Sequence, residues 1–152
     1  MRVIHSAQSK KSLAAEALRE TLRQVSAIKL KGIDFDAPNR ERRIDILAHI
    51  DVHGRSHMLV CTVNASDQAG HVRTALDDLQ SHVAQIAGNA TPVLIVPRIS
   101  DGAQALCAQS KAGIVDLEGN ARIDVDEVFI GIRSLPQLAV SGREAERLAG
   151  VA

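Results

Sequence analysis

Aromatic residues are almost missing from this chain, which has two Phe, at 35 and 129, and no Tyr or Trp in 152 residues. Proteins that stack successive bases on aromatic platforms are therefore nearly excluded. Cysteine is equally scarce. Cys61 and Cys107 have neither zinc nor redox spacing, so both read as small core residues in a reducing compartment. Lysine thins out along the chain: after Lys31 only Lys111 remains. Net charge is zero, so there is no overall pull toward nucleic acid. No apolar run reaches membrane-spanning length, and Met1–Lys11 lacks the apolar centre of a signal peptide; a cytoplasmic protein without membrane partners is expected.

What is present points to one folded domain with a core of Leu, Ile, Val and Ala. Charge is unevenly spread. Residues 1–43 carry ten Lys or Arg against five acids, so Lys10, Lys11, Arg19, Arg23, Arg40, Arg42 and Arg43 form a candidate basic side. A solvated helix face with a charged turn explains the same residues without a ligand.

Periodicity predicts the elements. Ser9–Ile28 reads as an amphipathic helix with Leu13, Ala17, Leu18, Leu22 and Val25 on its apolar stripe. A short strand, Ile33–Asp36, is followed by turn residues. Ile44, Ile46, Ala48 and Ile50 then alternate with polar or half-polar positions over Arg43–Asp51, and the His53-Gly54 turn returns the chain into His57–Asn64. The second of these strands is a nearly continuous apolar run, as suits a strand covered on both faces. A helix is expected over Asp67–Ala87, a buried parallel strand over Pro92–Pro97, and a third helix capped by Ser100. Short runs at 114–117, 121–125 and 128–132 complete a meander, and a linker with a short helix over 143–148 follows. The order implies an α/β (α+β) sandwich around a mixed sheet.

Asp45 on one strand, followed by an apolar strand after the turn, resembles the PD-(D/E)XK restriction-endonuclease-like fold, in which a metal site straddles the second and third strands. The resemblance implies a mixed sheet flanked by helices, with residues 1–133 as the domain and 134–152 as a linker or tail. It also places Cys61 and Val63 where a carboxylate and a lysine are needed, and a thiol and an isopropyl group cannot replace a hard oxygen ligand and a cationic proton donor around Mg²⁺. A second resemblance covers roughly Val72 to Arg133. The phrases at 71–79, Pro92-Val93-Leu94-Ile95-Val96-Pro97-Arg98-Ile99-Ser100 and Gly113-Ile114-Val115-Asp116-Leu117-Glu118-Gly119-Asn120-Ala121-Arg122-Ile123 are similar to regulators of the AbiEi-type antitoxin group. That group commonly carries a DNA-binding winged helix-turn-helix, which is not legible in this chain, and Arg98 stands where an aromatic is usual.

For an intact nuclease the acids at hand are Glu16 or Glu20 on the first helix, Asp45 and Asp51. No lysine lies on the helix 67–87, and Arg73 there supplies charge but cannot give up a proton. Asp116, Gly119, Asn120 and Arg122 form the densest polar motif. It reads first as a β-turn, with a ligand-contacting cluster as the alternative. His49 and His57 are placed to face each other across the hairpin, a weak transition-metal pair without a carboxylate.

The sequence therefore implies a nuclease-like domain without catalytic residues, serving as a regulatory or nucleic-acid-associated module. Lys10, Lys11, Arg19, Arg23, Arg40, Arg42, Arg43 and Arg73 would make its phosphate contacts with DNA. The alternatives are a protein-interaction or homodimerisation module using the meander, and a DNA nuclease with a rearranged site. No cofactor is expected, and Mg²⁺ enters only with the nuclease reading.

Overall fold

The alternating run around Ile44–Val52 pairs on both sides and organises the molecule. The computed structural model describes residues 7–125 and 128–133. Its elements are α1 (Ala7–Arg23), β1 (Ile28–Asn39), β2 (Arg42–Val52), β3 (Arg55–Val63), α2 (Ala69–Ala84), β4 (Ala90–Val96), α3 (Asp101–Gln109), β5 (Gly113–Asp116), β6 (Ala121–Val125) and β7 (Val128–Ile132). The strands form one seven-stranded sheet in sequential order. β1 to β3 pair antiparallel, β3 to β5 parallel, and β5 to β7 antiparallel again.

The parallel centre dictates the layers. Right-handed crossovers that advance in one direction put both of their helices on one face, and α2 and α3 share the core that includes Val60, Leu94, Val96 and Ile114. α1 precedes the sheet and covers the other face, against Ile46, Ala48, Ile50, Leu59, Cys61, Val93, Ile95 and Val115. β4 is buried almost throughout, as its uninterrupted apolar run requires. β6 alternates buried and exposed residues, because no helix among the described residues covers its second face. Ser100 caps α3 as expected, its Oγ accepting from the Ala103 N–H at 3.1 Å. Gly113 lets β5 and β6 approach: a Cβ there would meet Ile123 at 2.9 Å.

Three expectations need correction. Leu13 is not on the buried stripe of α1 but 60% exposed. The inward line is Lys11, Ala14, Ala15, Leu18 and Leu22, and the small alanines let the helix sit close to the sheet. The helix also stops at Arg23 rather than Ile28. Finally, the short strand expected at 33–36 is a twelve-residue strand, β1. Pairing with β2 along its length overrides Gly32 and Pro38, which an edge strand tolerates. The strand absorbs the mismatch in a register shift between Leu30 and Gly32 and a positive φ of 52° at Asp36. The linker and the helix expected over 143–148 lie outside the described residues.

Candidate functional site

Asp36 stands opposite Asp45 across the β1–β2 ladder, between the pairs Phe35–Ile46 and Ala37–Ile44. Two carboxylates so placed repel each other unless a cation joins them. Lys11, reaching in from α1, supplies it. The ammonium is hydrogen-bonded to Asp36 Oδ1 and lies 3.6 Å from Asp45 Oδ1. The other oxygen of Asp45 accepts the Val63 N–H at 2.9 Å, which ties the end of β3 to β2. The Lys11 side chain is only 17% exposed. Its hydrogen bond to Asp36 raises the ammonium pKa above the usual lysine value. Partial burial works against this, and Asp45 adds to the rise.

Cys61, the neighbour of this cluster on β3, is fully buried in the α1-side core, and burial, reinforced by Asp45, pushes its thiol strongly toward the protonated form. Cys107 is likewise raised by burial, to about 11. Neither is poised as a thiolate ligand or nucleophile.

The remaining candidates do not converge on this point. Glu16 is exposed and pairs with Arg19 at 2.9 Å, and Glu20 pairs with Arg23 at 2.5 Å. Arg42 pairs with Asp78 of α2, and Arg43 donates to the Asp36 carbonyl at 2.9 Å. Arg73 is exposed on α2, on the opposite face of the sheet from α1. Lys10, Arg40 and Arg73 have no ion pair among the described residues, and all three are exposed. The β1–β2 tip is fastened over α2 a second time, by Asn39 Nδ2 donating to His82 Nδ1 at 2.9 Å. His82 is buried, and burial followed by the Arg42 charge lowers its pKa, with Asp45 acting in the opposite direction.

Asp116 has a different kind of surrounding. Its fully buried carboxylate accepts from the backbone N–H groups of Ile99, Glu118 and Asn120 and from Asn120 Nδ2, at 2.9–3.1 Å. Gly119, at φ 98°, makes the turn. Arg122 leaves this group and stacks on Phe129, 5.2 Å from the ring centre. The polar motif is thus a turn anchor plus one residue facing elsewhere. His49 and His57 do not oppose each other either: His49 lies opposite Met58 and His57 opposite Ile50. His49 bonds Asp34 at 2.9 Å, and His57 bonds Thr91 at 2.7 Å. No group of three His, Cys, Asp or Glu side chains is placed to hold a metal ion among the described residues.

Sequence reasoning missed Asp36 and the inward turn of Lys11. A signal for Lys11 existed: it falls four, seven and eleven positions before Ala15, Leu18 and Leu22, on the buried face of α1. Asp36 reads in the sequence only as the last residue of a short strand before a turn.

With this geometry in place, solved structures decide the architecture. A repair endonuclease from Pyrococcus abyssi matches with a TM-score of 0.51 and 11% identity, over 76% of this chain and 49% of that one. An EndoMS–double-stranded DNA complex matches with a TM-score of 0.52 and 10% identity, over 75% and 45%. The fold is restriction-endonuclease-like. At such identities the fold is what is shared, and the restriction-endonuclease-like chain spans about half the length of either neighbour. No family model and no curated protein matches it. No helix of the described residues is long and apolar enough to cross a membrane.

Proposed function

We propose that this restriction-endonuclease-like domain is catalytically inert and acts as a nucleic-acid-associated module. One observation carries the reading: the Lys11 ammonium lies between Asp36 on β1 and Asp45 on β2, and Asp45 belongs to the β2–β3 pair, where the fold family keeps its metal. A divalent cation there needs free carboxylate oxygens. Both oxygens of Asp45 are already engaged, by Lys11 and the Val63 N–H, and Asp36 is engaged by the same ammonium. β3 adds only the buried Cys61 thiol and the Val63 side chain. The residues present do not fit Mg²⁺.

DNA association is supported by the nuclease-like fold and by three exposed candidate cations that have no ion pair among the described residues, Lys10, Arg40 and Arg73. Since Arg42 and Arg43 also hold the hairpin tip in place, reversing them would mix lost phosphate contacts with a disturbed fold. Lys10→Glu, Arg40→Glu and Arg73→Glu separate the two. Fluorescence anisotropy against a labelled random duplex at two salt concentrations should show binding that weakens steeply with salt, and each substitution should lower the salt slope by about one. No binding at low salt overturns the association, and cleavage of DNA with Mg²⁺ or Mn²⁺ overturns the inert site. A regulatory, antitoxin-like role rests on the phrases between residues 72 and 133 alone.

A protein-interaction or dimerisation module is the second reading. It is favoured by a cavity of about 300 Å³ at the ends of β3 and β4, lined by exposed Leu13 and Leu117 together with Val63, Ile95 and Pro97. Sedimentation that shows only monomer over a wide concentration range removes its dimer form.

A further inference from the structure

One of the two aromatic rings in this protein is spent on the surface. Phe35 packs against the α1-side core, whereas Phe129 on β7 is 56% exposed. The exposed ring is nevertheless held in place. It lies over Gly131, where a Cβ would come within 2.8 Å of Phe129 Cε2, and the Arg122 guanidinium sits 5.2 Å from its centre. Arg122 and Asp124 share the exposed face of β6. With α3 they bound a cavity of about 430 Å³, whose rim also carries Lys111, Gln104 and Thr91.

We propose that this groove takes one base and an adjoining phosphate of single-stranded nucleic acid. The Arg122–Phe129 pair is the flat platform, since guanidinium planes and aromatic rings both stack on any base. Lys111 contacts the phosphate, and the two cations outweigh Asp124. Asp124 is left as an acceptor for a base amino group. One ring makes a site for one base, so the scarcity of aromatics limits the size of the site without removing it. The proposal takes its ligand class from the nucleic-acid-associated reading above, but uses a separate surface and a separate strand state.

The test is anisotropy of the full chain at low salt against a labelled oligothymidine and a duplex of equal length, with Phe129→Leu and Lys111→Gln variants checked by circular dichroism. The single strand should bind more tightly than the duplex. Phe129→Leu should weaken single-strand binding about ten-fold and leave the duplex unchanged, and Lys111→Gln should lower the single-strand salt slope by about 0.7. Salt-sensitive duplex binding with no single-strand preference and no effect of Phe129→Leu overturns this proposal alone. Failure of both ligands to bind at low salt overturns it together with the association proposed above. A dimer in sedimentation that Phe129→Leu abolishes also overturns it, because a second copy would then occupy the groove.

Discussion

Two aspartates near strand ends, Asp45 on β2 and Asp116 on β5, have opposite kinds of neighbours. Asp116 is sealed from solvent and takes four neutral N–H donors, all but one from its own turn. Asp45 is partly exposed, accepts a single backbone N–H, and shares an ammonium from a distant helix with a second carboxylate. The first arrangement is closed and local, so it builds structure and leaves no valence for a ligand. The second is open and assembled from three elements. Its balance depends on one removable charge.

Substitutions at the two sites should separate these roles. The largest effect is expected from Asp116→Ala, which strands several buried donors at once and should lower unfolding stability by about 3–5 kcal/mol in urea titrations. Asp45→Asn keeps an acceptor for Val63 and should cost only about 1 kcal/mol. Equal losses would erase the distinction between anchor and open site.

Lys11→Met comes next. It leaves Asp36 and Asp45 facing each other without a cation, and should lower stability at neutral pH by about 1–2 kcal/mol. The sign of the pH dependence sharpens this. The Lys11 pKa is raised on folding, so its contribution is fully present below the ordinary value of 10.5 and is lost as pH rises through the folded-state value. The wild type should therefore weaken on going above pH 10.5 more steeply than Lys11→Met.

His82 reports on the same end of the hairpin from the α2 side of the sheet. Its pKa is lowered on folding, so its contribution is present above 6.5 and is lost as pH falls from there through the folded-state value. Thermal melts should show stability falling below pH 6.5 in the wild type, with a flatter profile in His82→Leu. The smallest effect is expected at Leu13, where Leu13→Gln should change stability by no more than about 0.5 kcal/mol, as for an exposed side chain. A loss of several times that would restore Leu13 to the core.

The local features were legible in the chain. Alternation over 44–52, the unbroken apolar run of β4, the Ser100 cap and the short meander strands each depend on spacings of a few residues. Such spacings set which face of an element is apolar before it meets a partner. They were enough for a mixed sheet with helices on it, and for Asp45 on the second strand. Three-dimensional packing alone decided that Lys11, Asp36 and Asp45 meet, that Leu13 faces outward, and that Phe129 keeps an open groove beside α3. The docking rotation of α1, the β1–β2 register and the reach of α3 settled those points. Each depends on contacts between residues far apart in the chain, on which the pattern within a single element has no bearing.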